Sequence, residues 1–184
     1  MSKRRVKIVI LCEDIQQQVF AHYFLKKRGF RGPFRFEVCP KGSQSGEQYV
    51  RTRYPVEVEA YRQKRKERIG LVVLIDADRG TLQERLNQLA SVLGENDQKK
   101  REPNEAIAIF VPKRNIETWI HYLQGETVNE EDAYAKFENN EAACKTAVED
   151  LADRCYSQSL PEDAPRSLQA ACGELQRLLP LLQP

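Results

Sequence analysis

The sequence predicts an α/β fold: a mainly parallel four-stranded sheet flanked by helices, with a helical extension at the C-terminal end. Two observations predict it. Four short apolar runs, at residues 6–12, 34–38, 71–75 and 106–111, alternate with longer segments of helical periodicity. Acidic residues stand where two of those runs stop, at Glu13 and at Asp76-Ala77-Asp78, and in a parallel sheet the carboxyl ends of the strands form the ligand crevice. A chain of 184 residues fits one core with a modest appendage. The expected division is 1–125 for the sheet-bearing unit and 126–184 for helices packed on it.

The first strand, Val6 to Cys12, leads into a helix that Asp14 caps, with Gln17 three residues on. Ile15, Val19, Tyr23 and Phe24 form its apolar stripe and Gly29 ends it. Phe34-Arg35-Phe36-Glu37-Val38 alternates with period two, as a half-buried or edge strand does. After the loop Pro40 to Gly46, a charged helix is expected from about Glu47 to Arg68, kinked or begun at Pro55 and ended by Gly70. Leu71 to Ile75 is the third strand, and Thr81 with Glu84 makes a capping box ahead of Leu82, Leu86, Leu89 and Leu93. The fourth strand, Ala106 to Val111, is closed by Pro112, after which Asn115 caps Ile116 to Leu123. Two more helices are expected, about Asn139 to Cys155 and Ala164 to Leu179.

Charged residues at 30% and hydrophobic ones at 41% describe an ordinary globular chain and exclude a disordered one. A net charge of +2 leaves nucleic acid open as a partner, because a local stripe of Lys and Arg suffices for phosphate contacts. The basic Ser2-Lys3-Arg4-Arg5 ahead of an apolar run imitates a leader, but Glu13 and Asp14 cut that run too short for export or for crossing a membrane. A cytoplasmic protein is expected. Five cysteines without a CxxC pair indicate neither a zinc site nor a disulfide framework, so reduced thiols are expected.

Carboxylates brought together at adjacent strand ends repel unless a cation joins them. Glu13, Asp76 and Asp78 offer only oxygen, which suits a hard ion, Mg²⁺ or Mn²⁺, that keeps waters and completes its shell with substrate phosphate. Such an ion offsets charge developing on a phosphodiester oxygen. Glu13 can share the ion or transfer a proton. Glu117 lies in the first turn of its helix, where a carboxylate is electrostatically favoured, and joins Glu13, Asp76 and Asp78 in the expected catalytic set. Arg79, Lys113 and Arg114 flank the acids and are expected to hold the phosphates of a nucleic acid.

A strand ending in a lone Glu, a helix with Phe and Tyr on its stripe, and a hydrophobic strand ending in Asp-x-Asp, over residues 5–125, resemble the Toprim domain of topoisomerases, primases, small maturase ribonucleases and the overcoming-lysogenization-defect nucleases. The stretch Phe110-Val111-Pro112-Lys113-Arg114-Asn115-Ile116-Glu117-Thr118-Trp119-Ile120 is similar to the Pro-x-x-x-Ile-Glu-x-Trp segment of small stand-alone bacterial Toprim proteins, several of which serve in phage defence. Where those proteins commonly carry Gly or Ser after the glutamate, this chain has Asp14. The resemblance implies a Mg²⁺-dependent nuclease in a phage-defence or toxin-like system, with Glu13 and the Asp-x-Asp pair acting around one or two metals. It also implies an ABC-type ATPase partner, since related nucleases are often fused or paired with one and this chain has no Walker motif.

Other features have plainer readings. Asp14 reads as a helix cap, Trp119 with Ile116, Ile120 and Leu123 as core, and His22, His121 and Cys12 as packing residues. The run Arg62 to Arg68 reads as a solvated helix face, and Gly42 to Gly46 as a flexible connection without the P-loop sequence. Leu168, Leu175, Leu178, Leu179 and Leu182 share one helical side and either cover the chain's own core or dock a partner ATPase. Competing classes fit less of the pattern. A phospho-acceptor receiver would leave Asp78 superfluous, and haloacid-dehalogenase phosphatases carry Asp-x-Asp after the first strand, with Thr where this chain has Gly80. A non-catalytic Toprim subunit would keep the fold and bind metal or a partner without cutting.

Overall fold

The structure, a computed structural model, describes residues 5–64 and 66–184; Ser2, Lys3 and Arg4 of the basic N-terminal stretch and Arg65 of the charged run lie outside them. In chain order the elements are β1 (Lys7–Cys12), α1 (Ile15–Arg28), β2 (Phe34–Val38), α2 (Gly46–Gln63), β3 (Ile69–Leu74), α3 (Leu82–Glu95), β4 (Ile107–Phe110), α4 (Ile116–Leu123), α5 (Lys145–Ser157) and α6 (Arg166–Leu175). Single 3₁₀ turns at Glu141–Cys144 and Leu179–Leu182 flank the last two helices. Every strand pairing is parallel, in the order β2-β1-β3-β4. The α/β expectation therefore holds, with an all-parallel sheet. β1 and β3 are neighbours, so the residues that follow them emerge side by side.

Alternation along the strands divides the core into two layers. Ile8, Ile10 and Cys12 of β1, with Val72, Leu74, Ala108 and Phe110, face α1, α4, α5 and α6; Leu11, Leu71, Val73, Ile107 and Ile109 face α2 and α3. Both faces are covered, which is why β3 and β4 read as continuous apolar runs. Trp119 is fully buried, as its helical spacing predicts, with its ring 5.6 Å from that of Phe20 and its Nε1–H donating to Ser167 Oγ at 2.8 Å.

Several local expectations need correction. The buried face of α1 is Gln16, Gln17, Phe20, Ala21, Phe24 and Leu25, while Ile15 is exposed; Val19 and Tyr23 lie at the margin of the core. Two glutamines occupy the position of apolar residues: Gln17 bonds both the Glu13 N–H and Asp76, and Gln16 donates to the Glu141 carbonyl at 3.2 Å. Helix α2 ends at Gln63, short of Arg68, and carries Pro55 in its interior. Gly70 does not terminate that helix. It lies within β3, where a Cβ would meet Ile8 Cδ1 at 2.9 Å and Leu181 Cδ1 at 3.1 Å. The charged run is engaged and not merely solvated: Arg62 forms a forked pair with Glu105 at 2.8 and 3.0 Å.

The C-terminal helices complete the layer over α1 and α4. Leu168, Leu175 and Leu178 are buried in it, so the leucine stripe is core, and the alternative of an ATPase-docking face loses these residues. Glu174 and Arg101 form an ion pair that also finishes the open edge of β4: Arg101 donates to the Ile107 carbonyl at 2.8 Å, and Glu174 accepts the Ile109 N–H at 2.8 Å. The expectation of reduced thiols fails for one pair. Cys155 and Cys172 form a disulfide between α5 and α6, with Cα atoms 5.0 Å apart, while Cys12, Cys39 and Cys144 are free. A separation of 17 residues with no motif gives no sign of pairing; the packing of α5 on α6 brings the two cysteines together. Among the described residues no helix is long and apolar enough to cross a membrane.

Because Leu175 is fully buried against the sheet, Leu175→Ala is expected to lower the unfolding free energy by about 2–5 kcal/mol. Urea titration measures it. A loss under about 1 kcal/mol would show that α6 is peripheral.

Candidate functional site

Parallel pairing of β1 with β3 brings two acidic turns together. Glu13 directly follows β1 and lays its carboxylate on the backbone after β3, where Oε1 accepts the Asp76 N–H at 2.6 Å. Gln17, fully buried, ties the same two segments. Its Oε1 accepts the Glu13 N–H at 2.8 Å and its Nε2 donates to Asp76 Oδ1 at 3.0 Å. Asp14 caps α1 by accepting the Gln17 N–H at 2.9 Å, as its sequence position predicts. Asp78 stands at φ 53°, a left-handed conformation that Asp tolerates better than most residues, and its N–H donates to the Arg114 carbonyl at 3.1 Å.

Arg85 of α3 underlies the group. It is almost fully buried, donates through Nε to the Asp76 carbonyl at 3.0 Å, and reaches Glu47 at 2.5 Å and Asp78 Oδ2 at 3.4 Å. Glycine is required where α2 begins against Glu13. A Cβ on Gly46 would stand 2.6 Å from the Glu13 Cβ and 3.0 Å from its Oε2. That close approach sets the positive end of the α2 dipole beside the carboxylate.

Burial nevertheless pushes the Glu13 carboxyl up to about 8, with Asp78 and Asp14 adding repulsion against the opposing pull of the Asp76 N–H and Arg85. Asp76 is raised well above the usual carboxylate range, by burial first and then by Glu13, Asp14, Glu117 and Asp78. Glu117 is raised as well, by burial and by Asp14, while its own backbone N–H, Lys136 and His121 hold it down. The five acids thus share one electrostatic neighbourhood.

The expected phosphate-holding residues are distributed unevenly. Arg79 is exposed beside Asp78, and Arg114 meets Asp78 through its backbone, at φ 71°. Lys113 is paired with Glu131 at 2.5 Å. A cleft of about 320 Å³ opens instead between the first turns of α1 and α4, bordered by Asp14, Gln16, Glu117, Phe137 and two exposed lysines, Lys41 and Lys136. Gln17, Arg85, Gly46, Lys41 and Lys136 were not read as site residues from sequence. Gln17 alone left a trace, as a polar residue at the start of an otherwise amphipathic helix.

Among the described residues no three His, Cys, Asp or Glu side chains stand so that together they could hold a metal ion. The donor type fits a hard divalent cation all the same, since every acid here offers oxygen. No protein-family model, no curated protein and no solved structure matches the chain.

An acid that keeps its proton in the folded chain and loses it in the unfolded one makes stability fall as pH rises. For Glu13 the loss begins near 4.5 and is complete near 8; Asp76 and Glu117 act in the same direction. The unfolding free energy of the metal-free protein is therefore expected to decline across that window, and Asp76→Asn to flatten the decline. Urea titrations at a series of pH values measure it, and a rise over the window would contradict the account. Gly46→Ala is expected to cost about 1–3 kcal/mol by forcing α2 away from Glu13; unchanged stability in the same assay would mean the helix end has room.

Proposed function

We propose that this chain is a Mg²⁺- or Mn²⁺-dependent nuclease of the Toprim-like kind, cleaving phosphodiester bonds of DNA or RNA. The observation that carries the reading is the union of Glu13 with Asp76 across adjoining parallel strand ends, with both carboxyls raised by burial and Asp76 raised further by Glu13. Glu13, Asp76 and Asp78 would have to draw together to hold the ion, which would supply charge neutralisation at the phosphodiester oxygens. The chain's own groups do the rest. Gln17 and Arg85 fix the orientation of Asp76, one through its carboxylate and the other through its carbonyl. Glu13, titrating near neutral pH, is suited to hold or pass a proton at the leaving oxygen. Lys41 and Lys136, which border the cleft with Asp14 and Glu117, would hold substrate phosphates there, and Arg79 would do so on the side of Asp78.

Cytoplasmic work in a phage-defence or toxin-like system, under an ABC-type ATPase subunit, belongs to the same proposal and rests on the resemblance of residues 5–125 and of the Phe110 to Ile120 segment. With the leucine stripe taken up by the core, such a subunit would have to dock elsewhere.

The test is incubation of the purified protein with plasmid DNA and with total RNA, in Mg²⁺, in Mn²⁺ and in EDTA, beside Asp76→Asn. The expected result is metal-dependent cleavage of one of the two, reduced at least about a hundredfold in the variant. Cleavage that survives both EDTA and the substitution would sink the assignment. So would a chain that binds metal and nucleic acid without cutting either, which is the behaviour of a non-catalytic subunit.

A further inference from the structure

The two edges of the sheet are finished differently. On β4 the Arg101–Glu174 pair occupies the outward backbone groups of Ile107 and Ile109. Among the described residues nothing does this for β2. Pro33 accepts the Ile8 N–H at 3.0 Å and Cys39 donates to the Cys12 carbonyl at 3.3 Å, so the odd-numbered residues of β2 turn their backbone groups to β1. The N–H and C=O groups of Phe34, Phe36 and Val38 point away from the sheet. Their side chains are only half-buried: the Phe34 and Phe36 rings lie 6.2 Å apart, and His22 of α1 meets both edge-on at 5.2 and 5.8 Å. An open edge with apolar side chains is a template for another strand, and proteins that do not use such an edge generally block it.

We propose that this edge pairs with the same edge of a second copy of the chain, antiparallel, about a two-fold axis through Phe36. The strand itself selects that occupant. A symmetric antiparallel pair must set residues with outward backbone groups opposite one another, and centring on Phe36 does so, with Phe36 facing its own copy and Phe34 facing Val38. The same register sets Arg35 opposite Glu37 at two places, as non-hydrogen-bonded pairs in which side chains approach closest. Any unlike strand would have to supply this alternation of charge; the second copy supplies it by sequence.

Both halves of the seam gain from the pairing. On one face the half-buried Phe34, Phe36 and Val38 meet their equivalents beneath the two α1 helices, with His22 and Val19 at the margin. On the other face Arg35 already bonds Glu57 and Glu37 within its own chain, and Arg53 reaches Glu57 and Glu37, so each guanidinium gains a further carboxylate and no charge is stranded. Two four-stranded sheets become one continuous sheet. Because the central strands run in opposite directions, the two acidic sites face away from each other.

Light scattering after size exclusion, across a range of micromolar concentrations, is expected to give twice the chain mass of 21.3 kDa. Arg35→Glu and Glu37→Arg each place like charges opposite one another and are expected to weaken association roughly ten-fold, and the double exchange to restore it. Phe36→Pro removes an outward N–H without touching a bond to β1 and is expected to be monomeric. Amide hydrogen exchange reads the wild-type chain directly: the Phe36 and Val38 N–H groups are expected to be protected in concentrated samples and to exchange freely on dilution. A mass of 21.3 kDa at every concentration overturns the proposal. So does a dimer in which the Phe36 N–H exchanges freely, or a double exchange no tighter than the singles when circular dichroism shows all three variants folded. If Phe36→Pro fails to fold, the charge exchange and the amide exchange decide the matter.

Discussion

The hydrogen bond from the Asp76 N–H to the Glu13 carboxylate is the constraint around which the rest of this molecule is arranged. It continues the contact between β1 and β3 past the last ladder pair, Leu11 with Val73, and in doing so draws two carboxyls into a place where neither is well solvated. The fold meets the cost in three ways: Gln17 bonds both segments, α2 presents its N-terminus through Gly46, and Arg85 reaches in from α3. These measures leave Glu13 and Asp76 raised, so each keeps its proton to a higher pH than a solvated carboxyl does. A site strained in this way is where a functional group is expected.

The sheet was legible because burial on both faces leaves an unmistakable record. Continuous apolar runs at β1, β3 and β4, each followed by a cap and a helical stripe, admit few arrangements other than parallel strands with covering helices. Acidic residues at the ends of β1 and β3 were equally visible, and the strand order places them together as expected. What stayed hidden was everything that depends on distance across the chain. Arg85 looks like one charged residue on a helix and is the buried partner of Asp76, Asp78 and Glu47. Gly46 looks like loop flexibility and is a close-packing requirement.

The same reasoning explains the misread segments. Periodicity placed Ile15 on the buried face of α1 because isoleucine is apolar, whereas the helix rotates to hand Gln16 and Gln17 to polar partners: the Glu141 carbonyl and the Glu13–Asp76 junction. Charge patterning extended α2 to Arg68 because Lys and Arg are good helix formers, but the Arg62–Glu105 fork and the start of β3 at Ile69 end it sooner. Cys155 and Cys172 carry no local signature, and only the packing of α5 on α6 brings them together. The leucines of the last helix were ambiguous by sequence, since a buried face and a docking face share one pattern.

If the raised carboxyls of Glu13 and Asp76 hold a cation, as proposed, protons must leave when it binds, and counting them is the most direct test. Titration of Mn²⁺ into the protein at pH 7, by calorimetry in two buffers of different ionisation enthalpy, reports how many protons leave as the ion binds. A carboxyl whose proton is held up to about 8 must give it up to a metal. The account predicts saturable binding with release of about one proton, abolished together with binding by Asp78→Asn. Binding with no proton release, or no binding by a folded wild-type protein, would contradict it.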